Sequence, residues 1–386
     1  MSNPELVSVV IENGSSSTRA GFSNEQLPSL IVPTIYSTSK IDENYIIGDN
    51  IDEYPDNDIY TILNDGVVYN WDALEKNWGY IFDNLSANSE ELPLVITEEL
   101  WNNKKNRQKL AELAFETFKV PVFSIIKSPV AVTYGLGRSS SLVLDIGSST
   151  TSVTPILDGT ILYKGAIHSK FAGDFLNLHS LNYLNKFKPI EETFFTKGSD
   201  SFRKYQTNGL IHDFKSTILS VSPYPIVDSN AEFNIAKKNY QLPDGEVLEI
   251  SKEQVLIPES LFHPLSYNLP GIELPKESLG LTDLILSSLK KLDLQKHGYD
   301  SLLGNLIITG SASSLPGLES RILNDMKRLT PGYNIHTYTN PNVLERSNSV
   351  WLGASVLSSL NNFENQYISK AEFEESGEEA VNQKFK

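Results

Sequence analysis

The chain has 386 residues, 40% hydrophobic and 21% charged, enough for one large two-lobed fold or two to three ordinary domains with sizeable cores. It contains no cysteine, which excludes a disulfide framework and thiol chemistry, and its 48 acidic against 32 basic side chains leave a net charge of −16 that opposes non-specific attraction to nucleic acid or anionic lipid. The opening MSNPELVSVVIENG has no basic region followed by an apolar run, and no stretch of about 18 apolar residues occurs, so neither a standard secretion signal nor a membrane span is expected.

The first predicted element is a buried strand, Leu6 to Ile11, ending in Glu12-Asn13-Gly14-Ser15-Ser16-Ser17-Thr18 and followed by Arg19. Glycine at such a turn lets a ligand approach the backbone, and successive turn N–H groups suit an anion such as phosphate. Pro28 to Val32 and Tyr45 to Gly48 read as short strands. The second lies in an acidic stretch, Asp42 to Asp58, with seven carboxylates and no lysine or arginine. A turn at Asn64-Asp65-Gly66 leads to Asn70, expected to cap a helix whose Trp71, Leu74, Trp78, Ile81 and Phe82 recur at core spacing. Leu92 to Thr97 reads as a strand. Lys104 to Phe118 reads as an amphipathic helix, Val122 to Ile126 as a strand and Pro129 to Leu136 as a helix.

The stretch Leu142 to Gly159, LVLDIGSSTTSVTPILDG, organises the chain around it. A strand feeds Asp145, then Gly147 at a tight turn, then Ser148 to Thr151, and a β-branched run leaves. Taken alone, such a turn favours an ordinary hairpin, since Asp-x-Gly-Ser occurs in many of them. Asp145-x-Gly147-Ser-Ser-Thr-Thr151, however, matches Glu12-x-Gly14-Ser-Ser-Ser-Thr18 in register, 133 positions apart. The repetition predicts duplicated lobes holding one phosphate-bearing ligand.

Ile161 to His168 then reads as a strand, Phe171 to Phe175 as a helix start, and Pro189 to Asn208 as polar and irregular. A helix is expected over Asp213 to Val221, strand, turn and strand over Val247 to Ile257, and one long helix over Leu281 to His297. Leu306 to Thr309 is a predicted strand ending in Gly310 and Ser311 and opening a helix through Met326, a third candidate nucleotide contact. Ile335 to Tyr338 and Ser349 to Leu360 read as a strand and the last long helix. The six histidines have no ligand-like spacing, and no histidine or aspartate accompanies the serine-rich turns in a nucleophile arrangement. Metal ligands and catalytic residues are therefore expected to be none. Lys104, Lys105, Arg107 and Lys109 are expected on a solvated helix face.

This plan resembles the superfamily of actin, sugar kinases and heat-shock-chaperone ATPases, and within it the chain resembles actin from end to end. Asn13-Gly14-Ser15 with Ala20-Gly21-Phe22, Tyr69-Asn-Trp71-Asp, Phe115-Glu-Thr-Phe118, Pro258-Glu-Ser-Leu-Phe262 and Trp351-Leu-Gly353 sit where actin has nearly the same words. Val67 to Glu75, Ser169 to Phe175, Asn305 to Ser311, and Asp145-Ile-Gly147 with Val153-Thr-Pro155 are similar to the fungal actin-related proteins of the seventh class. That family comprises nuclear subunits of the SWI/SNF and RSC chromatin remodellers. The resemblance implies an α/β, actin-like two-lobed fold of duplicated ribonuclease-H-like lobes in four subdomains, with a nucleotide cleft between lobes. Residues 1–136 would form the small lobe, completed by 331–386, and 137–330 the large lobe.

The departures from actin bear on activity. Actin's Asp, Gly-Ser-Gly and lysine become Glu12, Gly14-Ser15-Ser16 and Arg19, and its Asp-Ser-Gly-Asp-Gly becomes Asp145-Ile146-Gly147-Ser148-Ser149. The water-orienting glutamine aligns with Ser128. Of the ribose-contacting Lys-Glu pair only Lys215 is kept, since Ser216 replaces the acid, and actin's second adenine-turn glycine is Ser311. Hydrolysis needs an oriented water and a positioned Mg²⁺ together, so no significant ATP hydrolysis is expected and no cofactor is required. Gly14, Ser15, Ser16, Arg19, Asp145, Gly147, Ser148, Lys215, Gly310 and Ser311 form the expected vestigial nucleotide site, compatible with weak or structural ATP binding. The alternative is an active actin-type ATPase with nucleotide-dependent switching. A sugar or acetate kinase lacks a place for its catalytic carboxylate.

The loop that docks on the next subunit in an actin filament is shorter here, roughly Ser37 to Asn44, so no filament is expected. The resemblance implies instead a groove for a partner helix, with Trp351, Leu352, Tyr367, Ile368 and Phe373 on one wall. Its occupant would be the helicase-SANT-associated helix of a remodeller's ATPase subunit, shared with a second actin-related protein as a heterodimer. Nucleosome contact would be indirect, no membrane would be involved, and the location would be the nucleus.

Overall fold

A computed structural model describes residues 7–39, 44–226, 235–267 and 269–385. The chain divides into two compact units. One holds the residues through Tyr54, Ile59–Ser139 and everything from Asn348, and the other holds Pro55–Asp58 and Ser140–Ser347.

In the first unit the run Val9-Val-Ile becomes the strand Val9–Asn13, buried on both faces, as a strand flanked by helix layers must be. It pairs antiparallel with Ser17–Phe22 and parallel with Leu94–Glu98. The six-stranded sheet runs, across its width, Ile368–Ser369, Val122–Lys127, Leu94–Glu98, Val9–Asn13, Ser17–Phe22, Leu30–Pro33. Alternate residues face opposite layers. Val9, Ile11, Leu94, Ile96 and Phe123 pack with Leu74, Trp78 and Ile81 of the helix Trp71–Asn84, while Val10, Val95 and Ile126 pack with Ala131 and Trp351. Asn70 caps that first helix as expected, its side chain accepting from Ala73 N at 3.0 Å. Behind the sheet the helices Ser128–Gly135 and Ser349–Ser358 meet through glycine. A Cβ on Gly353 would stand 2.0 Å from the Ala131 carbonyl oxygen, so only glycine permits this approach.

The second unit repeats the pattern. Ser141–Ile146 pairs antiparallel with Thr151–Leu157 and parallel with Leu306–Thr309, which pairs parallel with Thr337–Tyr338. A hairpin followed by parallel neighbours on the first strand's open side is the arrangement of both sheets. The core is built from Leu142, Leu144, Leu306 and Ile308 with Phe214, Ile285, Ile322 and Met326 from its helices. Arg321, fully buried, donates to both carboxylate oxygens of Glu259 at 2.7 Å and to Asp325 at 2.8 Å, and lies 4.2 Å from the Phe262 ring centroid. A charge in such a place holds only because every partner is present.

Several elements differ from their sequence reading. Pro189 to Asn208, expected to be irregular, contains the helix Ile190–Phe194 and the first part of Asp200–Ile218. Ser199 caps the latter, accepting from Phe202 N at 3.1 Å. Its buried Phe202, Thr207, Ile211, Phe214 and Ile218 form a narrow stripe that the surrounding polar residues conceal. Val247 to Ile257 is a strand only to Ile250 and then the helix Glu253–Glu259, which puts Val255 and Ile257 inside. The long helix expected to His297 ends at Lys290, and a second one, Lys296–Leu303, comes after it. The helix expected to Phe118 is α-helical over Lys104–Glu112 and widens to a π-turn over Leu113–Thr117. Residues 331–347, expected with the small lobe, pack in the second unit, because Thr337–Tyr338 completes that unit's sheet. Of the shortened loop Ser37 to Asn44, residues 40–43 lie outside the described residues.

Candidate functional site

The first turn lies between paired strands in which Glu12 stands opposite Arg19 and Asn13 opposite Thr18. Gly14 N donates to Ser17 O at 3.2 Å and closes it. Ser15 is half-buried and Ser16 exposed. The charged pair does not point outward. Arg19 Nη1 donates to Glu12 Oε1 at 2.9 Å and Arg19 Nε to Asn348 Oδ1 at 2.6 Å, and the two charged side chains are 13% and 11% exposed. The other oxygen of Glu12 accepts from Trp351 N at 3.0 Å, in the first turn of the helix Ser349–Ser358. Those N–H groups have no intrahelical acceptor, and a carboxylate there also meets the positive end of the helix dipole. Asn348, placed to cap that helix, gives its side-chain oxygen to Arg19 instead, and Glu12 takes over the cap. Burial pushes the Glu12 carboxyl above its ordinary range, against the downward pull of Arg19 and the Trp351 N–H.

The second turn has the same register, with Asp145 opposite Ser152 and Ile146 opposite Thr151, and Gly147 N donates to Thr150 O at 2.9 Å. Here the backbone makes the next contact. Gly147 O accepts from Gly173 N at 3.1 Å and Ser148 O from Asp174 N at 2.8 Å, so the turn's carbonyls cap the helix Gly173–Leu184. Ser148 Oγ adds a bond to Asp174 Oδ1 at 2.9 Å, and Lys215 Nζ donates to Gly173 O at 3.1 Å. Burial lowers the Lys215 ammonium to about 8, with the Asp174 charge acting the other way. Gly310 closes the far side. Its φ is 89°, and a Cβ there would stand 2.3 Å from Asp145 Oδ1 and 2.4 Å from Ile146 O. Ser311 is exposed at the start of the short 3-10 segment Ser311–Ser314.

Gly147, Ser148, Lys215, Asp145 and Gly310 are thus brought together in one unit, and Gly14, Ser15, Ser16 and Arg19 in the other. Gly173, Asp174 and Asn348 were not singled out for the site from sequence. The words Ser169 to Phe175 contain the first two, and nothing in the sequence pattern marked Asn348. At the position aligned with the water-orienting glutamine, buried Ser128 donates its hydroxyl to Glu98 O at 3.0 Å. Glu98 in turn is paired with Lys127 and with Arg107 at 2.7 Å. Burial lowers the Lys127 ammonium against the pull of Glu98. The first turn's cation is thus bonded to Glu12 and Asn348, and the helix N–H groups beside the second turn already have carbonyl acceptors.

The expected partner wall needs correction. Trp351 is fully buried and donates from Nε1 to Val10 O at 3.0 Å, Ile368 is 2% exposed within the sheet, and the Tyr367 hydroxyl bonds Ser8 Oγ at 2.7 Å inside the core. Their side chains are already used by the fold. Leu352 and Phe373 are half-buried, the latter stacked on Phe115 at 4.8 Å. Val356 and Leu360, at 40% and 46% exposure, are the accessible apolar side chains at the end of the last long helix.

Residues 3–386 match the family model for actin. The chain belongs to the actin family. It is 31% identical to actin-related protein 4 of Yarrowia lipolytica, over 97% of this chain and 94% of that one. It is 30% identical to the SWI/SNF and RSC complexes subunit arp42 of Schizosaccharomyces pombe, over 97% of each, and 27% identical to actin-related protein 4 of Arabidopsis thaliana, over 98% of each. The actin-like fold expected from the residue words is therefore the fold of the whole chain. No helix among the described residues is long and apolar enough to cross a membrane.

Proposed function

We propose that this chain is a non-catalytic actin-related subunit of a SWI/SNF- or RSC-type chromatin-remodelling complex, working in the nucleus. It binds the helicase-SANT-associated helix of the complex's ATPase subunit together with a second actin-related protein, and couples that motor to the rest of the assembly. The observation that carries the non-catalytic part is the closure of the first turn, where Arg19 and Glu12 are committed to each other, to Asn348 and to a helix N-terminus. Spending the turn's charges on internal contacts stabilises an actin fold without preparing it to hold a metal-bound triphosphate. Membership in a remodeller is supported by the likeness to a SWI/SNF and RSC subunit over nearly the full length of both chains. Placement in the seventh class rests on the words Val67 to Glu75 and Ser169 to Phe175. Neither ATP nor a metal is required for the assembly role, and any ATP held is weakly or structurally bound.

The test is coexpression with the helicase-SANT-associated segment and the second actin-related protein. A stable three-component complex that forms without nucleotide is expected, and Val356→Asp with Leu360→Asp should weaken it. Failure of the three to co-purify would overturn the assignment.

A further inference from the structure

The sequence holds four serine- or threonine-proline pairs, Ser128-Pro129, Thr154-Pro155, Ser222-Pro223 and Thr330-Pro331. A proline directly after a hydroxyl residue is the mark read by proline-directed kinases, which take their acceptor in an exposed segment that can be drawn out straight. The fold separates the four. Ser128 and Thr154 are buried, the first bonded to Glu98 O and the second inside the strand Thr151–Leu157. Ser222 is half-buried, and its main chain is gripped by the helix Leu318–Leu329. Arg321 Nη1 donates to Ser222 O at 3.4 Å and to Tyr224 O at 3.2 Å, and Asn324 Nδ2 donates to Pro223 O at 2.9 Å. The Ser222 hydroxyl itself donates to Tyr224 O at 2.7 Å. Drawing this segment out would strip contacts from a fully buried guanidinium, which is costly.

Thr330 is placed differently. It follows the last residue of that same helix, with a φ of −124°, and its carbonyl accepts from Tyr333 N at 3.4 Å. Pro331 and Gly332 take the two central positions of this turn, and the φ of 91° at Gly332 suits a type II turn. Both are exposed, and a Cβ on Gly332 would meet nothing within 4 Å, so the tip stands clear of the other described residues. The half-buried Thr330 donates its hydroxyl to Met326 O at 2.7 Å, a bond that rotation about χ1 releases. Exposed Lys327 and Arg328 precede it by three and two positions, and the spacing of three puts Lys327 on the same helix face. We propose that Thr330 is a phosphorylation site for a proline-directed serine/threonine kinase that favours basic residues before its acceptor. The hydroxyl oxygen attacks the γ-phosphorus of Mg²⁺-ATP, the bond to the ADP oxygen breaks, and the hydroxyl proton passes to the kinase's catalytic base. The product carries a charge of about −1.5 to −2 at pH 7, which offsets Lys327 and Arg328, and its bridging oxygen can no longer donate to Met326 O. This inference is independent of the remodeller assignment.

The test is incubation of the purified full chain with Mg²⁺-ATP and a dual-specificity tyrosine-regulated kinase, a class with that substrate preference, the modified residue being read by mass spectrometry. One phosphate per chain, on Thr330, is expected. Thr330→Val should abolish it and Thr330→Ser should retain it. Pro331→Ala should slow incorporation about tenfold or more, while Ser222→Ala should leave its rate within about twofold. No incorporation, incorporation at Ser128, Thr154 or Ser222 in place of Thr330, or labelling of Thr330 only after heat has unfolded the chain would each overturn the proposal. So would an unchanged rate in Pro331→Ala. Circular dichroism melts of each variant separate a lost acceptor from a lost fold.

Discussion

The two glycine turns share a strand register and a closing hydrogen bond, and both cap a helix, yet they do so by different chemistry. The first uses side chains: Glu12 reaches the N-terminus of Ser349–Ser358 and needs Arg19, itself steadied by Asn348, to make its charge tolerable. The second uses main chain: the carbonyls of Gly147 and Ser148 take the N–H groups of Gly173 and Asp174. A cap made of side chains is open to substitution at each of its members. A cap made of carbonyls depends on the backbone path, and hence on the glycines that allow it. Duplicated turns have therefore become unequal in what can break them.

The largest effect should come from the second turn's backbone. Gly310→Ala puts a Cβ into Asp145 and Ile146 at a positive φ that alanine rarely adopts, and should cost about 3 kcal/mol or more by denaturant unfolding. An unchanged midpoint would show that the turn is loosely held. In the first turn, Arg19→Met strands the largely buried Glu12 carboxylate and should cost about 2–3 kcal/mol, most of it restored when Glu12→Gln is added. Additive losses would mean that the pair is not coupled.

Behind the second turn, His179 lies on the helix that the turn caps, and burial lowers its pKa from 6.5 to about 4. The unfolded chain takes up this proton first as pH falls. Stability is thus full above 6.5 and is lost as pH drops from 6.5 toward about 4, by roughly 1–2 kcal/mol for this group. His179→Leu should flatten that slope in melts taken across the interval, and an unaltered slope would assign it to other groups. The smallest effect is expected from Ser148→Ala, which removes one exposed hydrogen bond to Asp174 and should cost about 0.5–1 kcal/mol. A larger loss would show that the hydroxyl, and not the carbonyl, carries the second cap.

Much of this fold can be read from the chain because its signals are local. Asn70 before an apolar-periodic run is a cap, and Glu12-x-Gly14 and Asp145-x-Gly147 after β-branched runs are hairpin turns. The pairings that decide the first turn are not local. Arg19 meets Asn348 across 329 positions and Glu12 meets Trp351 N across 339, and no spacing rule connects them. Trp351 shows a related gap. The helix Ser349–Ser358 is apolar on more than one side, so periodicity alone leaves open which side meets the sheet, and the sheet takes Trp351 while Val356 stays outside. The first half of the helix Asp200–Ile218 escaped notice because only Phe202 and Thr207 of it are buried and most of its other residues are polar.

The most direct test of an actin fold turned from hydrolysis to assembly is a calorimetric titration of the purified chain with Mg²⁺-ATP, run beside a measurement of phosphate release. Phosphate release no higher than in the protein-free control, and binding that is weak or unaffected by Mg²⁺, is the predicted result. Micromolar, Mg²⁺-dependent binding with steady release would contradict it, and would show that the charges of the first turn open to a nucleotide after all.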